Sequence, residues 1–141
     1  GIGCFLNDQK IKMENEKNSL DSLVAYEVDG RQDDPEYTRS EAKLMAEIIL
    51  NIRNLRASNS AYDLALLLKG SYGAILNRTS KIWDNVAAQV LVQEAGGTYS
   101  SFTGQELDYS APLAKADQNY EYFAGTTKVH EQLLDIIEKH G

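Results

Sequence analysis

The sequence predicts an α/β domain: a mainly parallel sheet of about five strands with helices on both faces, preceded by an N-terminal β-hairpin. Two observations lead there. Segments with an apolar period of two residues alternate with segments of helical period, the order that builds a sheet with crossover helices. Several of the strand-like segments are also short and continuously apolar, as in a sheet covered on both sides. The 141 residues amount to a single domain's worth of chain, with 43% hydrophobic and 25% charged residues and only 2 prolines. Those values exclude disordered, collagen-like and coiled-coil classes.

The elements follow in order. GIGCFLNDQKIKM reads as a hairpin, with Asn7-Asp8 in the turn and Ile11 and Met13 alternating with Lys10 and Lys12. Residues 1–19 are expected to be a hairpin and linker, and residues 20–141 the α/β domain. Ser22–Glu27 is a strand. Asp34 is placed to cap a helix with Pro35 at its first position, and Leu44, Met45, Ile48, Ile49 and Ile52 carry helical spacing to Arg53. Asn54–Ser58 is a short strand, and Ser60–Lys69 an Ala- and Leu-rich helix stopped by Gly70. Ala74–Leu76 is a strand, and Asp84–Ala95 a helix closed by Gly96-Gly97. Thr98–Phe102 is a strand, followed by a polar loop through Asn119. Tyr120–Gly125 is the last strand. Thr127 is expected to cap a final helix with Val129, Leu133, Ile136 and Ile137 inward.

Composition narrows the partners. Lys plus Arg number 14 against 21 Asp plus Glu, a net charge of −7. Such a surface repels phosphate backbones at long range, so no nucleic acid polymer is expected as a partner. A single cysteine, Cys4, allows no internal disulfide, which makes a cytoplasmic location the expectation. No apolar run approaches the roughly 20 residues of a membrane helix, so no membrane partner is expected. No signal peptide is visible, and Gly1 in place of Met reads as the start of a processed or excised piece.

In sheets of this kind ligands sit beyond the C-terminal ends of the strands. Two strand-to-helix junctions therefore matter: Ser58-Asn59-Ser60-Ala61 and Ile82-Trp83-Asp84-Asn85. At the first, free backbone N–H groups and short side chains would suit an anion; capping by Ser58 or Asn59 is the structural alternative. At the second, Asp84 is either an N-cap with Trp83 as a core anchor or a carboxylate at the mouth of a crevice, suited to Mg²⁺. The two readings are compatible, since one carboxylate oxygen can cap while the other ligates. His130 and His140 fall on the last helix, remote from both junctions, and Cys4 reads as packing.

The segment SNSAYDLALLLKGSYGAILNRTSKIWDNVAAQVLVQEAGG (Ser58–Gly97) resembles the C-terminal signature of the inositol monophosphatase family. That signature runs G-S/T-A-A, an Ala-rich helix ending in Gly, a short strand with an acidic residue, W-D-x-A-A-G and E-A-G-G. Trp83-Asp84, Ala87-Ala88 and Glu94-Ala95-Gly96-Gly97 match it. The opening GIGCFLNDQKIKM resembles the family's G-x-G-A-F-x-N-G hairpin, and YEYFAGTTKVHEQLLDII its last strand and helix.

The resemblance implies the C-terminal half of an inositol-monophosphatase-like fold. It also implies a Mg²⁺-dependent, Li⁺-sensitive phosphomonoesterase, which hydrolyses a small phosphorylated metabolite by metal-activated water and is often a homodimer. Asp84 takes the place of the metal-binding carboxylate. Ser58, Asn59, Ser60 and Ala61 fall on the segment that contacts the substrate near its phosphate. Asn77 falls where many members place a Glu that binds a substrate hydroxyl. Ser58, Asn77 and Gln89 depart from a Gly, that Glu and a Gly. Ser58 is therefore expected to narrow the pocket, and inositol 1-phosphate has nucleotide 3′-phosphates, sugar phosphates and histidinol phosphate as rivals. The family's remaining ligands, a Glu and a D-P-x-D-G-T segment, have no counterpart here; Asp29–Asp34 reads as a solvated turn and cap. Mg²⁺ is thus expected only with an N-terminal half present, and the chain alone is expected to be inactive. Without that half, self-association or a mobile hairpin is expected at Gly1–Met13. The alternative is a non-catalytic α/β module binding a phosphorylated ligand or a protein partner.

Overall fold

The computed structural model describes residues 1–141. Strands β1 (Cys4–Leu6) and β2 (Gln9–Ile11) form the antiparallel hairpin, with Phe5 opposite Lys10. Asn7 and Asp8 turn it with φ of 50° and 63°. Asn and Asp tolerate this left-handed pair, and its twist matches that of the strands. The hairpin is fastened to the domain: Met13 N–H donates to the Ala95 carbonyl (2.8 Å), Gly3 N–H donates to Glu94 Oε2 (2.7 Å), and Cys4 and Met13 are buried.

The main sheet comprises β3 (Leu23–Tyr26), β4 (Asn54–Arg56), β5 (Ala74–Ser80), β6 (Thr98–Ser100) and β7 (Tyr120–Gly125), in the order β4-β3-β5-β7-β6. β3 is parallel to β4 and β5, while β7 runs antiparallel to both β5 and β6. Four strands therefore share one direction and β7 is reversed. The expectation of a mainly parallel sheet holds for strand direction, but both pairings of β7 are antiparallel. The cause lies in the 101–119 connection. It carries no helix to cross the sheet, so the chain returns beside β6 in the opposite sense.

Helices α1 (Pro35–Leu50) and α4 (Thr127–His140) cover one face; α2 (Ala61–Leu68) and α3 (Ile82–Glu94) cover the other. Strand alternation divides the side chains. Val24, Tyr26, Ala74, Leu76 and Phe123 pack with Leu44, Ile48, Leu133 and Ile137. Ala25, Ile75, Tyr122 and Ala124 pack with Leu67, Ala88 and Val92. The buried carboxylate of Glu41 accepts from the Tyr26 hydroxyl (2.8 Å) and from Arg78 Nη1 (2.6 Å), and so ties α1 to the sheet. No helix is long and apolar enough to cross a membrane.

Several expected boundaries shift. α1 starts at Pro35, with the Asp34 carboxylate accepting from Tyr37 N–H, and ends at Leu50 rather than Arg53. β5 extends beyond Leu76 to Ser80, because its polar residues stay paired with β7 across an irregularity between Asn77 and Ser80. α3 begins at Ile82, two residues before the expected Asp84. The residue before α4 is Thr126, not Thr127, and its side chain makes no capping bond.

His130, on α4, is buried against the sheet, stacked on Phe123 with 4.1 Å between centroids, its Nε2 2.8 Å from Ser100 Oγ. Burial pushes its pKa down from the ordinary 6.5 to about 4. The unfolded ring binds a proton that the folded ring refuses, so its contribution is complete above pH 6.5 and is lost as the pH falls toward 4. Chemical unfolding from neutral pH down to about 4 should therefore cost the natural chain about 2–3 kcal/mol more than His130→Gln. Equal losses would contradict the buried neutral ring.

Candidate functional site

The strands β4 and β5 run parallel, so their C-terminal ends deliver α2 and α3 to the same end of the sheet. A cleft of about 510 Å³ opens there, with Asn59, Ser60 and Ala61 on one lip and Asp84 on the other. Tyr122, Leu64 and Ala88 line it between the lips.

The α2 lip is built around Asp63. Ser60, not Ser58 or Asn59, is the N-cap; its Oγ accepts from Asp63 N–H at 3.3 Å. The buried Asp63 carboxylate accepts from Ser58 Oγ (2.9 Å) and Ser60 Oγ (2.8 Å). Three side chains thus close on one another, and the first-turn N–H groups of Ala61 and Tyr62 have no acceptor within the helix. Asn59 Oδ1 accepts from the Tyr122 hydroxyl at 2.8 Å. The amide nitrogen, a pure donor, is what remains for a ligand. Ser58 stands outside the cleft lining, so it does not narrow the pocket; its hydroxyl is spent on Asp63.

On the α3 lip, Asp84 is the third helical residue rather than the cap. Its Oδ2 accepts from Lys81 N–H at 3.1 Å, which places negative charge at the positive end of α3. The side chain is exposed and the other oxygen has no protein partner. Trp83 is not a core anchor. It is 63% exposed on the rim, because the second residue of α3 faces away from the sheet.

Asn77 is not brought to the cleft. It is buried on β5, where its Oδ1 accepts from Thr79 N–H at 2.7 Å across the strand's irregular stretch. Asp29 and Asp34, in the turn and cap, serve Thr79 Oγ1 and the start of α1. No group of three or more His, Cys, Asp or Glu side chains is arranged to hold a metal ion.

Sequence reasoning missed Tyr122, Tyr99 and Asn85. Tyr99 and Tyr122 stack nearly parallel, with centroids 5.2 Å apart and planes 9° apart. Burial, and then for Tyr122 the nearby carboxylates Asp63 and Asp84, raise both phenol pKa values well above the ordinary range. Both hydroxyls therefore stay donors at physiological pH. The alternation of Tyr120, Tyr122 and Ala124 along β7 was the available signal; the strand's neighbours were not.

Comparison with known proteins assigns the lineage. The inositol monophosphatase family model matches residues 1–140. The Nus factor SuhB of Xylella fastidiosa is 30% identical over 146 residues, covering 100% of this chain and 50% of that protein. Inositol monophosphatase 1 of Xenopus laevis is 32% identical over 111 residues, covering 77% of this chain and 39% of that protein. Among solved structures, the inositol monophosphatase of Anabaena superposes with a TM-score of 0.78 at 24% identity, covering 100% of this chain and 54% of that one. The chain spans about half the length of the curated relatives it matches. It belongs to the inositol monophosphatase family.

The α2 lip depends on a buried carboxylate satisfied by two hydroxyls. Asp63→Ala keeps the backbone N–H that Ser60 caps but removes the carboxylate that two hydroxyls and the positive end of α2 share, so it should lower unfolding free energy by about 1–2 kcal/mol. A loss below about 0.5 kcal/mol in denaturant titration would show that the lip is organised otherwise.

Proposed function

We propose that this member of the inositol monophosphatase family is the C-terminal half of a Mg²⁺-dependent phosphomonoesterase acting on a small phosphorylated metabolite. The observation that carries the reading is the Asp84 carboxylate: exposed at the cleft mouth, with one oxygen accepting from Lys81 N–H and the other without a protein partner. Family membership supports the phosphatase class.

The donor set fits Mg²⁺ in part. An exposed carboxylate is a hard oxygen ligand of the kind Mg²⁺ takes one or two of, alongside water and phosphate. With no cluster of three acidic, His or Cys side chains, the remaining ligands must come from outside these 141 residues. When bound, Mg²⁺ supplies an activated water and neutralises charge on the phosphate and leaving oxygen. The chain's own residues bind and orient. The N–H groups of Ala61 and Tyr62, at the positive end of α2, attract phosphate oxygens. The Asn59 amide nitrogen donates to a substrate oxygen, and Ser60 keeps that turn in place.

Asn77 carries no charge and is turned onto the backbone, so it offers no carboxylate to a sugar or inositol hydroxyl. That leaves nucleotide 3′-phosphates, sugar phosphates and histidinol phosphate beside inositol 1-phosphate as substrates. The chain's incomplete ligand set favours a second reading, a non-catalytic module that binds a phosphorylated ligand or a protein partner.

Two measurements on the 141-residue chain test the proposal. With millimolar Mg²⁺ and a panel of phosphomonoesters, no phosphate release is expected; robust turnover would refute the incomplete ligand set. Trp83, the only tryptophan, adjoins Asp84, so Mn²⁺ in large excess, enough to load a single carboxylate whose shell is otherwise water, should quench its fluorescence weakly, and Asp84→Asn should abolish the quenching. Quenching that survives the substitution would place the ion elsewhere and remove the support for Asp84.

A further inference from the structure

We propose that Asn85, Tyr99 and Tyr122 form one positioning relay that sets the gap between the two lips of the cleft. The inference rests on the cleft being the ligand site, and it adds what holds its two sides in register.

The relay starts at α3. The Asn85 side chain is fully buried beside the exposed Asp84. Its Nδ2 donates to the Lys81 carbonyl (2.6 Å) and to Ser80 Oγ (2.8 Å), gripping the residue that caps α3 and the end of β5. Its Oδ1 accepts from the Tyr99 hydroxyl at 2.6 Å. Tyr99 stands on β6 opposite Ala124 of β7. The small alanine leaves room for the Tyr99 ring to lie over Tyr122, its diagonal neighbour on the same face. The Tyr122 hydroxyl then donates to Asn59 Oδ1, one residue before the α2 cap. Every link is a directed hydrogen bond or a parallel stack, and no polar atom named in it lacks a partner.

The cleft offers no other directed link between its lips. Between them lie Leu64, Ala87, Ala88 and Leu91, whose contacts are non-directional. A buried, satisfied polar chain sets a distance more sharply, because sliding either helix would break a bond in a medium where replacements are scarce. Asn85 and Tyr99 touch no ligand in this scheme. They act through Lys81 and Tyr122, and so on the spacing between the Asp84 carboxylate and the Asn59 amide.

Hydrogen exchange by NMR on the 141-residue chain, without metal or substrate, tests the relay separately from the phosphatase reading. Tyr99→Phe removes only the hydroxyl at the α3 end, yet it should speed exchange of the Asp63 and Leu64 amides in α2 about tenfold. Tyr122→Phe removes only the hydroxyl at the α2 end, yet it should speed exchange of the Asn85 side-chain amide by a similar factor. The double variant should match either single one, since a chain cut once gains nothing from a second cut. Leu133 and Ile137 amides, on the opposite face, should stay within about twofold. Asn59→Ala, which leaves the core intact, should reproduce the effect at Asn85 if either phenylalanine variant misfolds. Effects confined to the substituted lip, multiplying in the double variant, or spread over α4 would each overturn the relay.

Discussion

One carboxylate, Asp84, is under two demands at once. α3 needs an acceptor for the N–H of Lys81, and Asp84 Oδ2 supplies it. That bond holds the side chain at the helix start, where the dipole favours negative charge, and it leaves the second oxygen without a protein partner at a residue that lines the cleft. An aspartate free of the cap would sample many rotamers; this one is pre-set, which lowers the entropic cost of gripping an ion. The proposed function depends on that division of labour.

The sheet places this carboxylate opposite a suitable neighbour. Parallel β4 and β5 send α2 and α3 out at the same end, so two positive helix ends face one cleft. Reversed β7 lies between β5 and β6 and brings Tyr122 into the same space. The reversal therefore shapes the cleft as well as the topology. A parallel strand in that position would need a crossover, and its side chains would meet Asn59 in a different register.

Much of the fold was legible from local chemistry. The Asn7-Asp8 turn, the Asp34-Pro35 start of α1 and the stop at Gly70 are short-range signals, and the structure realises all three. The strand–helix alternation located both junctions before any motif was read, and Asn59, Ser60, Ala61 and Asp84 do gather at one cleft. The misses are long-range. The cap fell on Ser60 because Asp63 draws both serines toward itself. Asn77 turned onto the backbone because β5 runs on past it in an irregular register. Trp83 looked like core by composition, but its face of α3 points away from the sheet. Tyr99, Tyr122 and Asn85 meet only once strand order is known, and no spacing along the chain carries that order.

The pre-set carboxylate is open to one direct measurement. Crystals of the chain soaked in a large excess of Mn²⁺, enough to load a carboxylate whose protein co-ligands are missing, would report the ion by its anomalous scattering. The account predicts a peak at the Asp84 oxygen that does not accept from Lys81, with water filling the rest of the shell. A peak held by other side chains, or an Asp84 turned away from both the cleft and the Lys81 N–H, would contradict it.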